Sequence, residues 1–169
     1  MTGDAAEILL VEDDPHDVEL TLRAFRSENA HTRIDVVRDG EEALDYLFCR
    51  GSFHERSADQ PPHLILLDLK LPKIGGFQVL HELKNNPASA WIPVIVLTSS
   101  GEYRDIAESY RLGVNSYIQK PVDVAEFRRA IRALTLYWLG FNRLPVPAQQ
   151  RISPRAAPLQ REASAGFDE

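Results

Sequence analysis

Cysteine is almost missing. The 169-residue chain has one, Cys49, so it can build neither an internal disulfide framework nor a multi-cysteine zinc site. A basic excess is missing too: 19 Lys and Arg face 25 Asp and Glu, for a formal net charge of −6. Phosphate-backbone binding is therefore not the default activity, and no nucleic-acid partner is expected. The longest apolar runs are only a few residues, far short of the roughly 20 that cross a bilayer. Residues 1–7 are short, polar and acidic, without the basic-then-apolar order of a secretory signal, so a cytoplasmic protein with no membrane partner is expected. There is no Gly-x-Ser-x-Gly elbow, no Walker-type run around Gly75-Gly76, and no zinc-like spacing among His16, His31, His54, His63 and His81. Cys49 reads as a small apolar residue on a helix.

What is present is two alternating periodicities. Ile8-Leu9-Leu10-Val11, Leu64-Ile65-Leu66-Leu67 and Pro93-Val94-Ile95-Val96-Leu97 are compact aliphatic runs of the kind a strand buried on both faces requires. Residues 34–37 and 116–119 are weaker strands. Helical spacing fills the gaps. Asp14 reads as an N-cap and Pro15 as the first turn of a helix to about residue 28 with Val18, Leu22 and Phe25 inward. Asp39 precedes a helix with Ala43, Leu44, Leu47 and Phe48; a third carries Phe77, Leu80 and Leu83. Residues 103–112 predict a helix with Ile106 and Tyr110 inward and Gly113 as its C-cap. The last begins near Asp123 and carries Phe127, Ile131, Leu134 and Trp138. Residues 50–62 read as a surface loop. Five strands alternating with five helices predict an α/β protein with a parallel sheet covered on both faces.

The polar residues are informative by position. The three strong runs stop at Glu12-Asp13, at Asp68 and at Thr98, and the fifth strand stops at Lys120. In an open parallel sheet the carboxyl ends of the strands form the ligand crevice, so these residues converge. Carboxylates about 5 Å apart repel by roughly 3 kcal/mol per pair at an effective dielectric near 20. Folding alone does not favour that arrangement for Glu12, Asp13 and Asp68. A divalent cation relieves it, and hard oxygen ligands suit Mg²⁺ or Mn²⁺.

Ile8-Leu9-Leu10-Val11-Glu12-Asp13, Leu66-Leu67-Asp68-Leu69-Lys70-Leu71-Pro72 with Gly76, Leu97-Thr98-Ser99 and Tyr117-Ile118-Gln119-Lys120-Pro121 together resemble the receiver domain of bacterial two-component response regulators. The resemblance covers residues 7–140. It implies a flavodoxin-like, doubly wound sheet in the order 2-1-3-4-5. It also implies that Asp68 is the phosphoacceptor for a sensor histidine kinase, that Asp13, Asp68 and the Lys70 carbonyl ligate Mg²⁺ directly, and that Glu12 holds the ion through water. Lys120 would neutralise the transferring oxygens, Thr98 would bond the phosphoryl group, and Tyr117 would then rotate inward as the switch. The family's Lys-Pro peptide bond is usually cis, and Lys120-Pro121 matches that pair. Glu12 stands where many receivers have aspartate, and Ser99 where many have alanine.

The C-terminal end bears on partners. Leu136, Tyr137, Leu139 and Phe141 leave faces of the last helix apolar beyond its core stripe, which predicts packing on a second copy of the chain. Tyr137-Trp138-Leu139 and the long loop before His63 also resemble receivers paired with phytochrome-type kinases. Residues 141–169 read as a largely disordered tail: the final 25 residues hold four prolines and five alanines. No output domain is expected after residue 140, so the chain reads as a stand-alone switch, not an enzyme in the turnover sense. Alternatives are a phosphate sink or relay intermediate, an aspartate-nucleophile phosphatase and a phosphorylation-independent interaction module. The phosphatase would need a second aspartate where Lys70 stands, and the interaction module would be expected to lose Asp68 or Lys120.

Overall fold

A computed structural model describes residues 6–29 and 31–145. Five strands, β1 (Ile8–Val11), β2 (Ile34–Val37), β3 (Leu64–Leu67), β4 (Val94–Thr98) and β5 (Ser116–Gln119), form one sheet in the order β2-β1-β3-β4-β5. Every pairing is parallel. Between them run α1 (Pro15–Glu28), α2 (Gly40–Leu47), α3 (Gly76–Asn85) and α4 (Tyr103–Arg111), and α5 (Val124–Leu134) follows β5. This is the doubly wound, flavodoxin-like α/β sheet that the resemblance implied.

The two-residue period of a strand sorts the aliphatic runs into two cores. Leu9, Val11, Ile65, Leu67, Val94 and Val96 face α2 and α3 and pack with Ala43, Leu44, Val79, Leu80 and Leu83. Ile8, Leu10, Leu64, Leu66, Ile95 and Leu97 face the other way and pack with Val18, Phe25, Phe127, Ile131 and Leu134 of α1 and α5. All residues of β1 and β3 are buried, as continuous apolar strands require. Each such side chain contributes about 1.5–3 kcal/mol through burial.

Helix ends follow their capping residues. Asp14 accepts from the His16 and Asp17 amides at 2.7 and 3.2 Å, with Pro15 at the first helical position. Asp39 accepts from the Glu42 amide at 2.8 Å, and Glu42 reaches back to the Arg38 amide at 2.8 Å. Asp39 also holds Lys73 at 2.8 Å, although Lys73 sits in the left-handed region at φ +59. That pair ties the β3–α3 loop to the start of α2. Glycine is required at Gly40, where an added Cβ would lie 1.9 Å from the Ile74 carbonyl oxygen.

Several expectations change in detail. Tyr110 is 53% exposed, and Ser109 is the buried residue of α4. The inward face follows the three-residue step from Ile106, with the Ser109 hydroxyl turned back to the Asp105 carbonyl at 2.7 Å. Cys49 is not on a helix: α2 ends at Leu47, Phe48 caps it, and Cys49 sits in a left-handed turn at φ +53. The loop over 50–62 contains a short 3-10 turn (Gly51–Phe53) and is anchored. Arg56 donates to the Tyr46 carbonyl at 2.5 Å and its guanidinium stacks 3.5 Å over the Tyr46 ring. The continuation of α5 opens into a wide π turn, Thr135–Phe141, which rotates the stripe. Trp138 and Leu139 both pack on the α1–α5 core, so Leu139 is not on the free apolar face; Leu136, Tyr137 and Phe141 are. Residues 146–169, most of the expected tail, lie outside the described residues.

Burial works to raise the Asp39 carboxyl, but Lys73 and the Glu42 amide outweigh it and hold its pKa below the usual value. Its stabilisation is therefore complete above about pH 4 and fades as acid titrates the folded group. Asp39→Ala should cost about 1–2 kcal/mol in urea unfolding at pH 7. The gap between variant and parent should narrow as the pH falls towards 3.

Candidate phosphoacceptor site

The register of the sheet builds the site. Val11 pairs with Leu67 across β1 and β3, so the next residues, Glu12 and Asp68, emerge side by side. Backbone hydrogen bonds fix both: the Asp68 amide donates to the Val11 carbonyl and the Glu12 amide to the Val37 carbonyl, each at 3.0 Å. Asp13 follows on the loop into α1. One oxygen from each of Glu12, Asp13 and Asp68 lies within 4.8 Å of the other two; Glu12 and Asp68 are buried and Asp13 faces solvent.

Lys120 arrives from the other side. Its amide donates to the Thr98 carbonyl at 2.7 Å, extending the β4–β5 ladder and aiming the side chain into the cluster. Its Nζ lies 2.6 Å from Glu12, 2.8 Å from Asp17 and 3.6 Å from Asp68. The described residues contain no cis peptide bond, so Lys120-Pro121 is trans, contrary to the family's usual form. The strand register supplies the inward aim in its place. Burial opposes the Lys120 charge, but the bonds to Asp17 and Glu12 and the field of Asp68 prevail and hold its pKa above the ordinary lysine value. Burial raises the Glu12 carboxyl, with the Lys120 bond acting against that rise.

The remaining expected residues are close by. Thr98 ends β4 fully buried, its Oγ1 accepting from the Ser100 amide at 3.5 Å. Tyr117 is half-buried in β5 and its hydroxyl donates to the Ser100 carbonyl at 2.9 Å, so it is already engaged with the β4–α4 loop. The Ser100 hydroxyl donates to Asp105 at 2.5 Å, locking that loop to the first turn of α4. The Lys70 side chain is in solvent, while its amide turns back towards Asp68 Oδ1 at 3.4 Å. Asp17 was not singled out from the sequence. Only its place in the first turn of α1 after Asp14-Pro15 was legible, and side chains there lean back towards the N-terminus, here onto the site.

The acidic set fits a hard divalent cation. Among the described residues no hydrogen bond or ion pair engages the Asp13 carboxylate, and it faces two buried carboxylates that share a single ammonium. Asp13 and Asp68 offer oxygen ligands of the type Mg²⁺ and Mn²⁺ take. Gly76 keeps the cradle in shape, because a Cβ there would come 2.3 Å from the Asp68 carbonyl oxygen and 2.6 Å from Leu69 Cα.

A doubly wound sheet with an acid cluster and a lysine at its strand ends defines the class of α/β protein that works at the carboxyl edge. Residues 8–132 match the family described as response regulator receiver domain, and the chain belongs to that family. It is 42% identical over 141 residues to the probable methanogenesis regulatory protein FilR2 of Methanothrix harundinacea (strain 6Ac), which covers 83% of this chain and 88% of that one. It is 36% identical over 138 residues to response regulator Rcp1 of Synechocystis sp. (strain ATCC 27184 / PCC 6803 / Kazusa), 82% and 92% of the two chains. The Mn²⁺-bound form of Rcp1 superposes with a TM-score of 0.75, covering 82% of this chain and 97% of that one. The phosphorylated cyanobacterial phytochrome response regulator RcpA superposes with a TM-score of 0.77 at 38% identity, covering 83% and 99%.

Asp13→Asn should weaken Mg²⁺ binding at least about tenfold by calorimetry while leaving the fold intact. Gly76→Ala should cost about 1–3 kcal/mol by forcing the Asp68–Leu69 backbone aside, and should weaken Mg²⁺ binding without touching a carboxylate.

Proposed function

We propose that the chain is a phosphoacceptor switch that takes a phosphoryl group from a phosphohistidine of a sensor histidine kinase onto Asp68. The observation that carries this reading is the placing of the Asp68 carboxylate beside Glu12 and Asp13, with Lys120 Nζ at 3.6 Å. An Asp68 oxygen attacks phosphorus, the P–N bond breaks, and the imidazole leaves with the electron pair. Asp13, Asp68 and the Lys70 carbonyl would hold Mg²⁺ (or Mn²⁺), and Glu12 would act on it through water. When bound, the ion neutralises charge on the transferring oxygens. Lys120 does the same from the opposite side.

Thr98 then turns its hydroxyl to the new phosphoryl oxygen, and the β4–α4 loop follows through Ser100. Because Tyr117 already bonds the Ser100 carbonyl, movement of that loop changes the aromatic's position and the surface formed by α4, β5 and α5. The match to RcpA, itself a phytochrome response regulator, supports a phytochrome-type kinase as the donor. A cytoplasmic site of action follows from that partner, and among the described residues no helix is long and apolar enough to cross a membrane. Leu136, Tyr137 and Phe141, 59%, 54% and 69% exposed, form the face through which two copies associate.

Incubation with acetyl phosphate and Mg²⁺ should add the mass of one phosphoryl group to the intact protein and none to Asp68→Asn. Equal modification of both would contradict Asp68 as the acceptor. In sedimentation, Leu136→Ser with Phe141→Ser should shift a dimer towards monomer, since neither residue lies in the core; unchanged self-association would remove this face from the interface.

A further inference from the structure

Asp17 lies outside the Glu12, Asp13 and Asp68 cluster and has no place in the transfer chemistry, yet it holds Lys120, the one ammonium at the site among the described residues. Its Oδ2 is 2.8 Å from Lys120 Nζ, against 3.6 Å for Asp68. The contact joins the first turn of α1 to the residue after β5, 103 positions away in sequence. Lys120 is 10% exposed and Asp17 35%, so the pair is shielded, although not dry. Three carboxylates thus compete for one lysine, and the two that win it, Glu12 and Asp17, are not the one that reacts.

We propose that Asp17 is a positioning residue that draws Lys120 away from Asp68 in the resting protein, so that loading of Asp68 competes with this tether. This rests on the phosphoacceptor reading above. The tether has two consequences. It holds the Lys120 ammonium 3.6 Å from the Asp68 carboxylate, in ion-pair range but beyond a hydrogen bond, and so leaves Asp68 oxygens free to face an incoming phosphorus. It also opposes the loaded state, because the bond to Asp17 competes with a closer approach of Lys120 to a group on Asp68. The first turn of α1 therefore senses the state of Asp68 directly, by a route separate from Thr98 and Tyr117.

The test uses beryllofluoride, a phosphoryl mimic, titrated calorimetrically into the full chain at saturating Mg²⁺. Asp17→Asn removes the tether and should tighten beryllofluoride binding by about three- to tenfold, the range for a partly shielded charged hydrogen bond. Asp17→Ser, which also lacks the carboxylate, should do the same, and Asp17→Glu should stay near the parent. Asp14→Asn is the control for a general change of field. It removes an equal charge three residues earlier, keeps a capping side chain, and should change affinity less than twofold. Asp17→Asn and Asp17→Ser equal to the parent, or equal to Asp14→Asn, would overturn the tether while leaving the phosphoacceptor reading standing. A parent protein that binds no beryllofluoride would overturn both.

Discussion

Carboxylates repel, yet backbone hydrogen bonding in this structure forces Glu12 and Asp68 together, and the chain sets Asp13 beside them. The β1–β3 register sets Glu12 beside Asp68, and the ladder bonds from the Asp68 and Glu12 amides leave neither residue room to withdraw. The cost is set by Coulomb's law at short range and is tolerable only because positive charge is supplied. Lys120 supplies one unit, delivered by the β4–β5 ladder. The rest is the opening for a cation. Sheet geometry, charge and chemistry are in this sense one feature: slipping β3 by one residue would exchange the two cores and remove Asp68 from the edge.

The surroundings are built to hold this edge still and let one side move. Gly76 and the Asp39–Lys73 pair fix the β3–α3 loop against α2, so the residues after Asp68 are braced. A half-buried Lys84 ammonium donates to the Ala90 and Ile92 carbonyls and to Asn115, which braces the approaches to β4 and β5; partial burial lowers its pKa. The β4–α4 loop is held differently, by hydroxyl groups. Ser100 links Tyr117 to Asp105, its carbonyl accepting from the Tyr117 hydroxyl and its own hydroxyl donating to the Asp105 carboxylate. A phosphoryl group arriving on Asp68 would thus meet a rigid floor and a movable wall.

Much of this was legible in the sequence. The aliphatic runs marked β1, β3 and β4 because residues buried on both faces must be apolar throughout, and the acids and lysine that end the runs marked the crevice. Asp17 was not legible, because its partner is 103 residues away and its own position is equally that of an ordinary acidic residue near a helix start. Tyr110 misled because the inward line of α4 steps by three from Ile106 to Ser109. Leu139 misled because a uniform α-helical spacing does not anticipate the π turn over Thr135–Phe141. The cis form of Lys120-Pro121 came from resemblance; here the strand register delivers the lysine, and Glu12 and Asp17 hold its ammonium.

Paramagnetic broadening of backbone amide signals by Mn²⁺ reads out whether segments far apart in sequence enclose a single divalent ion beside Asp68. Residues 12–14, 68–70 and 120 should broaden together, and the effect should saturate at one ion per chain. Broadening confined to one of these segments, or spreading without saturation over acidic helix faces such as Glu41 and Glu42, would contradict it.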